Sequence, residues 1–258
     1  MTAPSTQTTL QTRLQNKVAI ITGGGSGIGQ ELALRLASEG VRVHILGRSG
    51  GPLQETAAMH DNIQYSVADV GNSDDLANVI KTVESTYGQL DIVINNAGMA
   101  PVTPLEQQTM EEVNRTFRVN VYGVIDLSRQ ALPLLKQSKG NIINIGSAVA
   151  ANPPANMAVY ASSKAAVVSL TKVWAKELAK DGIRVNSISV GPIWTPIYEK
   201  TSLSEEEKRA HEESINRMVP LGRFGSVDEV ASLVAFVASD EASYVTGADF
   251  AVDGGFGI

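Results

Sequence analysis

The fold is decided by a glycine-rich turn, Thr22-Gly23-Gly24-Gly25-Ser26-Gly27-Ile28-Gly29. Residues 17–21 before it are mostly apolar and β-branched, which is typical of a buried strand. Residues 30–37 after it are good helix formers with apolar residues at helical spacing. Such a turn directs backbone N–H groups and the positive end of a helix dipole at one point, where an anion can bind. The alternative is a turn that binds nothing, but the flanking strand and helix favour the anion site.

The spacing of the glycines indicates which anion the turn accepts. Gly23, Gly27 and Gly29 form the pattern G-x-x-x-G-x-G. A β-carbon at these positions would block a diphosphate and exclude some of the backbone angles that the turn needs. We therefore predict that a dinucleotide binds at Gly23, Ser26, Gly27, Ile28 and Gly29.

The amino-acid composition limits the classes of protein to which the chain can belong. The 258 residues are 43% hydrophobic and 19% charged, which is ordinary for a soluble chain with one large core. The net charge of −6 argues against a nucleic-acid partner, and the absence of cysteine excludes thiolate catalysis and disulfides. The three histidines are widely spaced, so no metal site is expected. No apolar run is long enough to span a membrane, and residues 1–16 lack the apolar core of a signal peptide. We expect a cytoplasmic protein whose residues 1–16 form a mobile arm.

Strands and helices alternate along the rest of the chain. The predicted strands are residues 17–21, 41–46, 63–67, 90–94, 141–145, 183–190 and 248–252. This alternation predicts an α/β fold, with residues 17–258 forming a single Rossmann-type, doubly wound domain around a mostly parallel seven-stranded sheet. Two helix details are predicted as well: Ser73 caps a helix that ends at Tyr87, and a helical stretch over residues 106–136 is interrupted at Pro133.

The second strand ends in Gly47-Arg48, where dinucleotide-binding folds select their cofactor. A carboxylate at this point binds the ribose of NAD, whereas an arginine accommodates the additional phosphate of NADP. Gly47 stands at the position where an NAD-binding fold has its carboxylate, so Arg48 favours NADP, with NAD still possible. The alternative is that Arg48 is a surface arginine that does not contact the cofactor. Asp69 and Val70 follow the third strand, and Asp69 either binds the adenine amino group or is a bare loop carboxylate.

Polar residues at later strand ends and in the helices suggest a reaction centre. Asn95 and Asn96 follow the fourth strand, and we expect Asn95 to be structural and Asn96 to face the ligand crevice. Asn120 lies in an apolar helical stretch, where asparagine is unfavourable unless it has a special role or marks a kink. Ser147 follows the fifth strand. Tyr160 and Lys164 are four residues apart on the next helix and therefore share one face.

Together these motifs resemble the short-chain dehydrogenase/reductase family. The resemblance extends from about Lys17 to the C-terminus and rests on the glycine turn, Asn95-Asn96-Ala97-Gly98, Asn120, Ser147, Tyr160-x-x-x-Lys164 and Gly191-Pro192 in the family's order and spacing. It implies an NAD(P)-dependent oxidoreductase that transfers hydride between the nicotinamide and a ketone or secondary alcohol. NADPH is the preferred cofactor in this prediction, and a carbonyl reductase or alcohol dehydrogenase is the expected type of enzyme.

The resemblance also implies a role for each catalytic residue. Tyr160 is the general acid or base. Lys164 favours its phenolate and binds the nicotinamide ribose, Ser147 binds the substrate oxygen, and Asn120 holds a water for proton supply. The contacts expected with the cofactor also include Tyr160 itself, Pro192, Ile193 and Thr195.

The loop after Gly191-Pro192 is expected to contact the substrate. Ser147, Val149, Trp194 and Tyr198 are the predicted substrate residues, with Met99 and Ala148 beside them, and residues 193–217 form a predicted lid. This apolar set favours a small ketone or alcohol over a carboxylate.

Three alternatives stay open at this point: a 3-oxoacyl-(acyl-carrier-protein) reductase, a non-catalytic dinucleotide-binding regulator, and isomerase or dehydratase chemistry on the same fold. Residues 253–258 end in apolar side chains that need a cover, and the resemblance implies the tetramer that is common in the family, so we predict a homotetramer.

Overall fold

The computed structural model describes residues 13–195 and 204–258. Its seven strands are β1 (Val18–Thr22), β2 (Arg42–Gly47), β3 (Ile63–Val67), β4 (Ile92–Asn95), β5 (Asn141–Ile145), β6 (Arg184–Val190) and β7 (Asp249–Val252). They form one parallel sheet in the order β3-β2-β1-β4-β5-β6-β7. The predicted fold class is confirmed, and each predicted strand lies within two residues of an observed one.

Helices cover both faces of this sheet. The α-helices are α1 (Gly27–Ser38), α2 (Gly50–Ala58), α3 (Ser73–Tyr87), α4 (Met110–Phe117), α5 (Gly123–Ser138), α6 (Ala158–Leu178), α7 (Glu205–Met218) and α8 (Val227–Ala238). Side chains along a strand point alternately to the two faces. Ile21 of β1 therefore packs with the α1 and α8 side, whereas Ile20 packs with the α3, α5 and α6 side.

The order of the strands reverses at β1, which pairs with β2 on one side and β4 on the other. In a parallel sheet such a reversal opens a crevice at the carboxyl ends of the strands. Thr22, Gly47 and Asn95 end these three strands. The glycine turn, the end of β2 and the Asn95-Asn96 segment therefore meet in one place.

Two of the predicted helix details are wrong. Asn72, rather than Ser73, caps α3, because its Oδ1 accepts hydrogen bonds from the N–H groups of Asp74 and Asp75, and Ser73 is already the first helical residue. Pro133 lies inside α5 without interrupting it. The irregularity comes earlier, at a π-helical turn over Arg118–Tyr122 that contains Asn120. Of the two alternatives for Asn120, a special role or a kink, the structure thus shows a local irregularity of the helix in the form of a π-helical turn.

The last residues of the predicted arm belong to the folded domain. Leu14 is fully buried in the core. Arg13 forms ion pairs with Glu39 at 2.9 Å and with Glu241 at 2.7 Å. Residues 13–16 therefore pack on the domain, which begins before Lys17. The rest of the predicted arm, residues 1–12, lies outside the described part of the chain.

None of the helices in the described part of the chain is both long and apolar enough to cross a membrane.

Candidate active site

The glycine turn has the close packing that the sequence predicts. Gly23 and Gly27 have φ values of +69° and +54°, which side chains rarely adopt. A β-carbon on Gly29 would lie 2.2 Å from the carbonyl oxygen of Gly23, so no other residue fits there. Ser26 precedes α1 but its side chain does not cap the helix. The first-turn N–H groups of α1 are therefore not bound by that side chain, and the turn fits a dinucleotide diphosphate.

A cleft of 440 Å³ extends along this turn. Ten of the residues predicted to bind the cofactor line it: Gly23, Ser26, Gly27, Ile28, Gly29, Arg48, Asp69, Val70, Asn96 and Thr195. Ala68, Ala97, Met99 and Val119 line it too, and the sequence analysis did not assign them to the cofactor. Ala68, Ala97 and Met99 lie just beyond the carboxyl ends of β3 and β4. Their position after a predicted strand is the sequence feature that could have assigned them to the cleft. Pro192 lines a separate cavity of 200 Å³ instead.

The two neighbouring asparagines have different roles. Asn95 is buried, and its Nδ2 donates to Asn144 Oδ1 at 2.8 Å and to Ser128 Oγ at 3.1 Å. It therefore ties β4 to β5 and α5, as expected of a structural residue. Asn96 Nδ2 donates to the Thr22 carbonyl at 2.9 Å, so Asn96 braces the glycine turn while also lining the cleft.

At the end of β2, no carboxylate takes the place of Gly47, and Arg48 is exposed beside the cleft. Arg48 forms no ion pair with any residue in the described ranges, so its guanidinium is available to an anion. Asp69 also lines the cleft, but its Oδ1 already accepts a hydrogen bond of 2.9 Å from the N–H of Gly71. A contact between Asp69 and adenine stays a prediction.

Another cavity, of 260 Å³, is lined by Ser147, Tyr160 and Lys164. It shares Ile28, Asn96, Gly98, Met99 and Thr195 with the dinucleotide cleft, so the two spaces adjoin. Ile193 also lines it. We call this space the reaction cavity. The serine, tyrosine and lysine that the sequence spreads over 18 residues are thus brought together next to the cofactor cleft.

Lys164 is buried at the base of the reaction cavity. Its Nζ donates to the carbonyl oxygen of Ile145, at the end of β5, at 2.7 Å. Burial disfavours the charged form and lowers the pKa of Lys164 to about 8. The Nζ atom lies 5.9 Å from the centre of the Tyr160 ring, within the range of a cation–π contact.

The pKa of Tyr160 differs from the sequence expectation. Burial raises the pKa of its hydroxyl, and a hydrogen bond with Ser147 opposes that rise. We expected Lys164 to lower the pKa of Tyr160, but in the protein without cofactor this pKa is raised. The effect of burial is larger than the effect of the groups that favour the phenolate. At neutral pH Tyr160 is protonated and can donate a proton.

Ser147 is held at the start of the short 3₁₀ turn Ala148–Ala150, where it accepts a hydrogen bond from the N–H of Val149 at 3.4 Å. Its Oγ donates to the carbonyl of Val190, at the end of β6, at 3.3 Å. Two neighbouring strand ends therefore fix the hydroxyl that faces Tyr160.

Asn120 connects the π-helical turn to both sides of the site. Its Oδ1 accepts from the N–H of Met99 at 2.8 Å, and its Nδ2 donates to the Met99 carbonyl and to Ser163 Oγ, each at 2.9 Å. The side chain therefore clamps the segment after β4 to α6, the helix that carries Tyr160 and Lys164. The predicted role in holding a water stays a prediction.

The predicted substrate residues are only partly brought together. Ser147 and Met99 line the reaction cavity. Val149 packs instead with Ala161 and Phe256, and Trp194 packs edge to face against Phe224 with ring centres 5.5 Å apart. Tyr198 lies outside the described residues. Within those residues, no group of three or more side chains could hold a metal ion.

Comparison with known proteins identifies the family. A family model described as enoyl-(acyl carrier protein) reductase matches residues 23–257. The 3-oxoacyl-(acyl-carrier-protein) reductase FabG of Thermotoga maritima is 38% identical over 95% of this chain and 100% of its own length. The chain belongs to the short-chain dehydrogenase/reductase family. The predicted family and the predicted class of activity, an oxidoreductase, are therefore confirmed.

Other members of the family are similar over nearly the same length. The L-fucose dehydrogenase of Mus musculus is 36% identical over 95% of this chain and 89% of its own. A crystal structure of 3-ketoacyl-(acyl-carrier-protein) reductase from Brucella melitensis, complexed with NADH, has a TM-score of 0.89 and 33% identity, and covers 95% of this chain and 100% of its own. The chain is thus similar to members with different named substrates.

The close approach at Gly29 gives a first prediction. In Gly29→Ala the new methyl group meets a backbone carbonyl, so the turn must shift and dinucleotide affinity should fall at least about tenfold. Gly51→Ala is the matched control, because a β-carbon there meets nothing within 4 Å. Calorimetric titration with NADP⁺ and NAD⁺ measures the effect. Equal affinity in both variants would show that the turn does not hold the dinucleotide.

Proposed function

We propose that this protein transfers hydride between NADP and a small ketone or secondary alcohol, with Tyr160 as general acid and base. The observation that carries the proposal is the placement of Ser147, Tyr160 and Lys164 in a cavity that adjoins the dinucleotide cleft. The nicotinamide, when bound, supplies or accepts the hydride. The residues of the glycine turn, Asn96 and Thr195 would hold the dinucleotide, because they line a cleft that fits it.

The chain's own groups handle the proton and the oxygen of the substrate. Tyr160 is protonated at neutral pH, so it donates a proton to the oxygen of a ketone in the direction of reduction. Ser147 has one hydroxyl proton, which it donates to the Val190 carbonyl at 3.3 Å, and it would redirect this proton to the substrate oxygen as a second, neutral hydrogen bond. Lys164 lies beside the ring of Tyr160 with a pKa of about 8, so it carries its charge at neutral pH and stabilises the phenolate that forms.

The same groups set the pH dependence of the reverse direction. Oxidation of an alcohol needs the phenolate of Tyr160, whose pKa is raised by burial. Alcohol oxidation should therefore increase toward alkaline pH, whereas ketone reduction should not need high pH.

Residues 193–217 are proposed as a lid over the reaction cavity. Ile215 of α7 and Tyr160 both pack against one apolar cluster, so this helix lies next to the site. The N–H of Trp194 donates to the carbonyl of Gly225 at 2.9 Å, and the N–H of Gly225 donates to the carbonyl of Pro192 at 3.0 Å. These two bonds fix residues 192–194 against Gly225, and residues 196–203 of the proposed lid lie outside the described part of the chain.

Removal of the Tyr160 hydroxyl tests the proposal. Tyr160→Phe keeps the ring and should lower single-turnover hydride transfer about 10²–10⁴-fold, because it removes the proton donor but not the dinucleotide cleft. Tyr244→Phe is the matched control, since Tyr244 is fully exposed. The measurement is the absorbance of the reduced cofactor with a panel of ketones and alcohols. Near-normal turnover in Tyr160→Phe would remove Tyr160 from this role.

A 3-oxoacyl-(acyl-carrier-protein) substrate is the second candidate. It is favoured by the similarity to the reductases of that name from Thermotoga maritima and Brucella melitensis. A 3-oxoacyl thioester in the same panel separates the two candidates, since the small-ketone proposal expects lower kcat/KM for the thioester. The reverse order would establish the acyl reductase.

NADP is proposed as the preferred cofactor. Gly47 presents no carboxylate to a ribose hydroxyl, and Arg48 lines the cleft without an ion pair to any residue in the described ranges. A guanidinium can bind a phosphate through charge-assisted hydrogen bonds. Ser26, rather than a second basic residue, stands in the glycine turn. We therefore expect a moderate preference of about tenfold, with NAD still used.

An acidic residue at position 47 should reverse this preference. A β-carbon on Gly47 would meet only Leu53, at 3.7 Å or more, so Gly47→Asp fits without distortion. Its carboxylate repels the additional phosphate of NADP and accepts from the ribose of NAD. The uncharged Gly47→Asn is the control for shape. The test compares kcat/KM for both cofactors, and a wild type that already prefers NAD contradicts the proposal.

A homotetramer is proposed for the assembly. Ile258 and Tyr244 are fully exposed near the C-terminus, and β7 is an edge strand of the sheet. Exposed apolar side chains and open sheet edges favour a symmetric interface between copies. Light scattering coupled to size exclusion should report four times the chain mass of 27.3 kDa. A monomer at micromolar concentration would contradict this.

A further inference from the structure

Tyr160 packs on one side against an apolar cluster that is separate from the reaction cavity. We call it the backing cluster, and its buried members are Ala148, Val149, Ala161, Val219 and Phe256. Tyr160 is partly buried and lies against these side chains. None of the five buried members lines the reaction cavity. They therefore cover Tyr160 from a side other than the one that faces the cavity.

The largest side chain of the backing cluster comes from a distant part of the chain. Of the other four buried members, two directly follow Ser147, one directly follows Tyr160 and one directly follows α7. Phe256 comes from the segment after β7 and is 8% exposed. An aromatic ring buries more apolar surface than an alanine or valine side chain. The cover on this side of Tyr160 therefore depends most on Phe256.

Residues 253–257 form a closed loop that holds Phe256 in place, and we call this segment the Phe256 loop. The carboxylate of Asp253 accepts hydrogen bonds of 2.9 Å from the N–H groups of Gly255 and Gly257. The N–H of Phe256 donates to the carbonyl of Asp253 at 3.1 Å. These bonds fix the backbone on both sides of Phe256, so its ring enters the backing cluster in a defined position.

The Phe256 loop is also bonded to two neighbours of the site. Asn152, two residues after the 3₁₀ turn that follows Ser147, donates from its Nδ2 to the carbonyl of Phe256 at 2.9 Å. The N–H of Leu221, beyond the end of α7, donates to the carbonyl of Gly254 at 3.1 Å. The loop is therefore attached to two of the segments between which its ring inserts.

The backing cluster brings no charged side chain of the described residues to Tyr160. On α6, Lys164 Nζ lies 5.9 Å from the centre of the Tyr160 ring, and the turn Ala148–Ala150 has no charged residue. In the Phe256 loop, the carboxylate of Asp253 is bonded to backbone N–H groups. On α7, the charged side chains that the structure describes are all exposed: Glu206, Arg209, Glu212, Glu213 and Arg217. The cluster therefore acts on the Tyr160 hydroxyl by excluding water.

We propose that Phe256 is a positioning residue of the reaction centre, whose ring closes the apolar side of Tyr160 against water. This inference rests on the proposed function, since it concerns the surroundings of the same general acid. Exclusion of water disfavours the phenolate, so it keeps the hydroxyl protonated until the substrate takes the proton. Phe256 acts through the residues on which it packs, because it does not line the reaction cavity.

The ionisation of Tyr160 itself provides the test. Carbon-13 NMR of protein labelled at the tyrosine Cζ atoms follows this ionisation, and Tyr160→Phe identifies the signal. Phe256→Ala admits water to the ring and should raise the ionised fraction of Tyr160 about tenfold at about pH 10. Phe256→Leu keeps an apolar side chain in the cluster and should restore most of the wild-type behaviour. An ionised fraction that is unchanged or lower in Phe256→Ala would overturn the proposal.

Phe236→Ala is the matched control. It removes the same ring from α8, where Phe236 packs in the core on the α1 and α8 side. It should leave the ionisation of Tyr160 unchanged, and an equal rise in this variant would overturn the proposal by showing a general loosening of the fold. If Phe256→Ala does not fold, Asn152→Ala decides instead. It removes only the hydrogen bond to the Phe256 carbonyl and should raise the ionised fraction about twofold or more, whereas no rise would overturn the proposal.

Activity measurements separate the failure of this inference from the failure of the proposed function. If the wild type oxidises no alcohol and reduces no ketone, the proposed function fails, and the ionisation of Tyr160 still decides the role of Phe256. If the wild type is active, the alkaline rise of alcohol oxidation should begin about one pH unit lower in Phe256→Ala, because less burial lowers the pKa of Tyr160. A rise at the same pH as in the wild type would overturn the inference alone.

Discussion

The site depends on the contact between α1 and the end of β1. Because Gly29 has no side chain, the first turn of α1 lies against the carbonyl of Gly23, where a β-carbon would be only 2.2 Å away. This contact places the helix N-terminus at the point where the strand order reverses, and the cleft forms around it. Asn96 then ties the same turn to the end of β4. The residues that line the cleft are positioned relative to this junction.

Local patterns in the sequence were sufficient for the fold and for most of the cleft. The strands were predicted because apolar β-branched runs and turn residues are local signals, and Tyr160 and Lys164 were placed on one face by their spacing alone. The cap of α3 was misplaced by one residue, because Asn72 and Ser73 are both good caps and only geometry distinguishes them.

The missed features depend on contacts between distant residues. Asn120 bonds to Met99 and Ser163, 21 and 43 residues away, so its surroundings are not visible in the local sequence. Trp194 packs on Phe224, which lies 30 residues away, and its contact with substrate stays a prediction. The raised pKa of Tyr160 follows from burial, which the i, i+4 spacing with Lys164 does not reveal. In each case the tertiary environment decided what the residue type alone could not.

The way in which Met99 is held has a consequence for how this enzyme can diversify. Asn120 grips only the peptide groups of Met99, through its N–H and its carbonyl, so the side chain is not needed for the clamp. Met99 lines both the reaction cavity and a neighbouring groove of 620 Å³ along residues 98–101. Substitutions at position 99 can therefore reshape the space for substrate while the catalytic frame stays intact.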